Sequence, residues 1–284
     1  MKQNHHSLAA YKVALMRAAH QVIDDPKIFE DPIALSIIGT QGKSAILSEK
    51  KKFKKKLSGY LRAIVVARSR FVEDELSQAI KQGVRQYVIL GAGLDTFAYR
   101  NPYSDYSLKV FEVDHPATQA WKRQQLSEAK IPIPDCLTFA PVDFENQTLA
   151  EGLRDSGFRT DEPSFFSWLG VTMYLTPETV MTTLKHISSS TPPGSGIVFD
   201  YVIPPSSQSL IRRLVFNLLA YRLAFAGEPW KSFFEPGSLI ANLKTIGFTQ
   251  IEDNGPKEIN SRFFSNRADK IMVGGFGHLM KAKI

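Results

Sequence analysis

A β-rich run, Tyr87–Leu90, passes directly into Gly91-Ala92-Gly93 and then Leu94-Asp95-Thr96. Two glycines at the end of a strand let the backbone turn tightly and leave space for a ligand against it. A lone Gly-x-Gly is common in strand-to-helix turns and does not by itself name a ligand. The neighbouring residues narrow the choice. A dinucleotide fingerprint would carry a third glycine at position 96, where this chain has Thr96, and Asp95 places a negative charge where a pyrophosphate would lie. No Gly-Lys-Ser/Thr follows, so a Walker loop is absent too. The loop suits a nucleoside that carries no phosphate.

Acids recur at the ends of the next two β-rich runs. "FEVDHP" ends in Asp114, 23 residues after Gly91, close to the spacing of roughly 20 expected for an acid that holds a ribose. A carboxylate accepts both hydrogens of a ribose diol in charge-assisted bonds. Two alternatives stay open: Asp114 caps the helix begun by Pro116, or Glu112, of the same strand parity, takes the diol. "APVDF" ends in Asp143, which can accept from an adenine amino group, while the Phe144 N–H donates to a ring nitrogen and its ring lies against the base. Read alone, Asp143 is an N-cap or loop residue. Three ligand-competent strand ends in succession point together to S-adenosylmethionine, an adenosine with an amino-acid tail and a sulfonium.

These residues need a frame. The chain reads as helical from residue 6 to 82, with Asp25-Pro26 and Asp31-Pro32 as helix starts and Gly83 as a C-cap. Short apolar runs then follow at 87–90, 108–114, 137–143, 164–169 and 196–202, separated by helical stretches around 116–129, 146–153 and 176–188. That alternation predicts an α/β fold, a parallel sheet with helices on both faces. Two late runs, 248–253 and 269–282, have no clear helix between them and read as an antiparallel pair at the sheet edge. One domain, 1–284, is expected, with an α/β core over 83–284. The helices of 1–82 and an insertion at about 205–230 would form a cap over the carboxyl edge.

The net charge is +7, from 35 basic and 28 acidic residues, and six of the lysines lie in "KKKFKKK", Lys50–Lys56. The basic balance is therefore one patch, read first as a solvated helix face. A role in RNA binding would want stacking aromatics, of which only Phe53 and Tyr60 are near. The single cysteine, Cys136, excludes an internal disulfide. The start of the chain has no apolar run to act as a signal peptide. The most apolar stretch, Leu214–Gly227, contains Asn217 and Arg222 and is too short to cross a bilayer. A soluble, cytoplasmic protein without a membrane partner or a metal is the expectation.

"ARSRFVEDEL", "VILGAGLDTFAYR", "FEVDHP", "PVDF" and "SWLGVTMYLTPE" together resemble the leucine carboxyl methyltransferase family, and above all its bacterial branch of S-adenosylmethionine-dependent enzymes. "GEPWKSFFEPGSL", "SRFFSNRADK" and "GGFGHLMKA" extend the likeness from about residue 10 onward. The resemblance implies a Rossmann-like class I methyltransferase: a seven-stranded, mostly parallel sheet with an antiparallel last strand. It implies that Arg68 holds the cofactor carboxylate, that Gly91 and Gly93 form the loop, that Asp114 takes the ribose, and that Asp143 and Phe144 take the adenine. Where eukaryotic members carry a glutamate after the fourth strand, this chain places Leu169.

The implied activity is methyl transfer to a carboxylate or hydroxyl of a small molecule or a protein terminus. Two alternatives are an RNA methyltransferase guided by the lysine run and a non-catalytic cofactor-binding module. A carboxylate acceptor needs no general base, whereas a hydroxyl does. Tyr174 is the candidate acceptor contact. His115, His278, His186 and His20 are weighed as bases without a choice among them, and Arg262 and Arg267 are read as surface ion-pair residues.

Overall fold

The computed structural model describes residues 8–143, 147–207 and 229–284. The apolar stretch 214–227 and nearly all of the expected insertion lie outside these residues, as does Phe144.

Five helices come first: α1 (Leu8–Ile23), α2 (Ala34–Ile37), α3 (Gly39–Ser48), α4 (Lys50–Phe53) and the long α5 (Lys56–Lys81). Strands β1 (Gln86–Leu90), β2 (Lys109–Asp114), β3 (Leu137–Pro141), β4 (Ser164–Trp168) and β5 (Gly196–Val202) then alternate with α6 (Pro116–Glu128), α7 (Leu149–Asp155) and α8 (Pro177–Ser190). The chain closes with α9 (Pro236–Thr245), β6 (Gln250–Asn254), α10 (Pro256–Phe263) and β7 (Gly277–Lys283).

Local chemistry starts these helices. α6, α8, α9 and α10 each have proline in the first turn, where its missing N–H costs nothing. α7 opens with a capping box in which Thr148 and Glu151 each accept from the other's backbone N–H.

The seven strands form one sheet in the order β3-β2-β1-β4-β5-β7-β6. β1 through β5 pair in parallel, and β7 runs antiparallel to both β5 and β6. Every residue of β1, β4 and β5 is buried, as expected for strands covered on both faces. One face packs Tyr87, Ile89, Val110 and Val198 against α5 residues such as Val66, Phe71 and Leu76. The other packs Val88, Phe111, Phe166 and Phe199 with Leu184 of α8 and Leu239 of α9. A third cluster joins α1, α2, α3 and Phe53 of α4 to Leu94 and Leu126.

The late pair is antiparallel and lies at one end of the sheet, as its sequence predicts, with β7 between β5 and β6. Two local features differ from that expectation. The helix α10 separates the two strands, and it escapes notice in the sequence because it is short and buries only Ile259. β7 starts at Gly277, eight residues later than the apolar run suggests.

Candidate active site

Strand order reverses between β1 and β4, and a parallel sheet binds ligands at such a point, beyond its carboxyl ends. The loop after β1 is held to the end of β2. Gly91 and Ala92 both donate to the Val113 carbonyl, at 2.8 and 3.1 Å. Gly91 has φ +66°, and a Cβ placed there would come within 2.4 Å of Val171 Cγ2 in the turn after β4. Glycine is therefore required by the backbone and by the closeness of the neighbouring turn.

Asp114, at the tip of β2, completes the loop. Its Oδ2 accepts from the Gly93 N–H at 2.6 Å, and its Oδ1 accepts from the His115 N–H at 2.7 Å. Burial pushes its carboxyl above the ordinary value, against the opposing pull of those two N–H groups. A carboxylate has about four acceptor positions, so both oxygens keep capacity for a diol. The helix α6 is capped by its neighbour: His115 Nδ1 accepts from the Ala117 N–H at 3.2 Å. Glu112 lies deeper, wholly buried and paired with Lys122 Nζ at 2.6 Å. Asp114 is the acid at the strand tip, and Glu112 belongs to the core.

A second charged group sits under the turn after β4. Arg68 of α5 is 7% exposed and donates through Nη1 to Asp200 Oδ2 at 2.6 Å. The other oxygen of Asp200 accepts from the Gly170 N–H, also at 2.6 Å. Gly170 has φ +73°, and a Cβ there would lie 2.7 Å from Arg68 Nη2. Leu169 packs into the core beside α5, and the carboxylate at this turn comes from Asp200 on the next strand. Asp200 is a residue that the sequence reading missed. The available signal was an acid inside the otherwise apolar "GIVFDYV", because a buried charge demands a partner.

Also unread in the sequence is a network that fixes α1 over the glycine loop. Arg17, 4% exposed, donates to the Leu94 carbonyl and pairs with Asp31 at 2.9 Å. Asp31 accepts from Thr96 Oγ1 at 2.6 Å, and Arg100 bridges from Thr96 to Glu73. Asp95 accepts from the Phe97 N–H at 2.8 Å and lies 3.9 Å from Arg17 Nη1. Ala10 of α1 approaches Gly93 so closely that an added Cβ would meet its own at 2.9 Å.

Asp143 follows β3 at the same edge, its carbonyl accepting from the Gln147 N–H at 2.7 Å. Tyr174 ends the single 3-10 turn Thr172–Tyr174 after β4. It packs, half-buried, with Met173, Val202, Trp230, Phe233 and Phe276. Ser232 ties the 230–234 segment to this turn by donating from Oγ to the Thr172 carbonyl at 2.8 Å.

Among the described residues, the other histidines have other occupations. His20 is buried between Asp24 and the Ile28 N–H. His186 sits half-buried on α8, its pKa lowered by burial. His278 pairs with Asp253 at 3.0 Å, and its ring lies 5.4 Å from that of Tyr201. Tyr201 follows Asp200 in β5, so this group lies on the opposite face of the sheet from Arg68. Arg262 and Arg267 make ion pairs with Asp74 and Asp269 respectively.

The sequence profile of the leucine carboxyl methyltransferase family matches residues 10–188. A Bacillus subtilis (strain 168) protein, YktD, is 36% identical over 293 residues, covering 95% of this chain and 95% of its own. The chain belongs to the leucine carboxyl methyltransferase family. The name of YktD places it provisionally among S-adenosyl-L-methionine-dependent methyltransferases. So does the name of a Mycobacterium marinum protein that is 36% identical over 160 residues, 56% of this chain and 52% of its own.

Among solved structures, a Thermobifida fusca YX protein provisionally named a methyltransferase superposes with a TM-score of 0.60 at 14% identity, covering 99% of this chain and 96% of its own. A DUF574 family protein of Streptomyces avermitilis MA-4680 gives 0.57 at 13% identity, covering 94% and 96%. Those likenesses establish the fold alone: this leucine carboxyl methyltransferase relative has the Rossmann-like sheet expected from its sequence.

Proposed function

We propose that this S-adenosylmethionine-dependent methyltransferase methylates an oxygen, and that the oxygen belongs to a carboxylate. The observation that carries the cofactor site is the Asp114 carboxylate, clamped to the Gly93 N–H at the mouth of a glycine loop that has no phosphate-binding features. The residues fit an adenosine with an amino-acid tail. Asp114 accepts from the ribose diol, Asp143 from the adenine amino group, and Arg68 faces the tail carboxylate with a guanidinium suited to bidentate contact. Phe144 would complete the adenine contact. The sulfonium supplies a methyl carbon already activated for in-line displacement. The chain's own task is to align the acceptor with it and to exclude water, worth roughly 7–11 kcal/mol of the barrier.

The acceptor reading rests on the bases. His115 is spent on capping α6, and His278 pairs with Asp253 on the other face of the sheet. An acceptor that is already an anion needs neither. Tyr174 and its aromatic neighbours would line the acceptor side.

Two measurements test this. Calorimetry should show S-adenosylhomocysteine binding in the micromolar range or tighter, and heat with NAD but none with the sulfur nucleoside would reject the cofactor. Incubation of radiolabelled cofactor with a panel of carboxylic acids and phenols should then give a product whose label leaves as methanol in mild alkali, as an ester does. An alkali-stable ether would reject the carboxylate.

A further inference from the structure

The lysine run and three exposed leucines form one corner of the molecule. Lys50–Lys56 spans α4 and the start of α5, and all six lysines are exposed. Glu49 is the only acid between residues 43 and 61, and it pairs with Lys52 at 2.7 Å. Flanking these charges are Leu47, 47% exposed in α3, and Leu57 and Leu61, 47% and 40% exposed on α5. Leu57 and Leu61 are one helical turn apart on the same face, which continues to the partly buried Ile64.

The corner is rigidly built. Phe53 is buried, and Arg62 beneath it donates to the Phe53 carbonyl and forms a double ion pair with Asp24 at 2.7 and 2.8 Å. That burial removes Phe53 as a stacking platform, and Lys56 lies over the ring of Tyr60 at 5.8 Å. An RNA surface needs open aromatic faces, whereas exposed leucines among lysines suit the boundary between lipid headgroups and acyl chains.

We propose that the Lys50–Lys56 corner, with Leu47, Leu57 and Leu61, docks the protein on an anionic lipid bilayer. The lysines meet the negative headgroups and the leucines enter the interface, a peripheral contact distinct from a membrane span and one that departs from the sequence expectation of no membrane partner. Leu61 and Arg68 are seven residues apart on α5, about 10 Å along the axis. Docking therefore brings the carboxyl edge of the sheet close to the membrane surface.

The experiment is co-sedimentation of the full chain with phosphatidylcholine vesicles, with and without about one-third phosphatidylglycerol. Retention is expected only with the anionic lipid. Replacing Lys51, Lys52, Lys54 and Lys55 with glutamine should lower the partition coefficient at least ~10-fold. The pair Leu57→Ser and Leu61→Ser should lower it by several-fold with every charge intact. Both variants should keep the parent affinity for S-adenosylhomocysteine, which reports an intact fold. No retention on anionic vesicles would overturn the proposal. So would binding indifferent to the serine pair, or tighter retention on single-stranded RNA that depends on the lysines alone.

Discussion

Asp114 joins the backbone of the glycine loop to the proposed ribose contact, so one substitution reads both. Asp114→Ala strands the Gly93 N–H and should cost about 1–3 kcal/mol of S-adenosylhomocysteine affinity by calorimetry. An unchanged dissociation constant would remove the ribose role. Because burial raises the Asp114 pKa, affinity should begin to fall on acidification above the usual aspartate range, and Asp114→Asn should flatten that fall. Asp200 is the counterpart under Arg68. Asp200→Ala leaves a buried guanidinium unpaired, which should lower the unfolding free energy by about 3–5 kcal/mol in urea titrations. The place of Asp114 at the tip of β2 was legible because it is local: strand, loop and acid lie within one stretch of sequence. Asp200 was not, because its partner Arg68 is 132 residues away and only the fold makes them neighbours.

At the scale of elements, the turn after β4 and the helix α1 hold the site from two sides. Gly170→Ala imposes a left-handed φ on alanine, about 1–2 kcal/mol, and pushes the Arg68 guanidinium aside. Weaker cofactor binding should accompany a small drop in Tm; a drop in Tm with unaltered binding would detach Arg68 from the ligand. Arg17→Met should release α1 from the Leu94 carbonyl and take from Asp31 its closer ion pair, leaving only Arg100 at 3.7 Å. Hydrogen exchange should then quicken in α1 and in residues 91–96 together, and exchange confined to α1 would show that the helix does not brace the loop. The five parallel strands were readable because each is a short apolar run bounded by turn residues. α9 and α10 were not, since α10 is only eight residues long and buries a single side chain, Ile259, and α9 follows a stretch read only as insertion. The position of β7 depends on a pairing choice that no local pattern encodes.

For the whole molecule, the buried pair Glu112–Lys122 sets a pH dependence. Burial pushes the Glu112 carboxyl up to about 7, with Lys122 opposing the shift. A carboxyl raised on folding binds more protons in the native state than in the unfolded one between its two pKa values. Stability from this group therefore falls as pH rises from about 4.5 to 7. Relative to Glu112→Gln, the parent protein should lose about 2–3 kcal/mol between pH 5 and 8 in urea unfolding. No change in that difference between pH 5 and 8 would show that Lys122 holds Glu112 ionised throughout.

The insertion of β7 between β5 and β6 carries a consequence for synthesis. As the chain leaves the ribosome, β5 has an open edge and β6 has no strand to join, and both wait for residues 277–283. Until those residues emerge, the nascent protein displays a long apolar strand border of the kind that chaperones recognise and aggregates template. A stop codon at position 277 should give an insoluble product, even though every residue proposed to touch the cofactor has already been made.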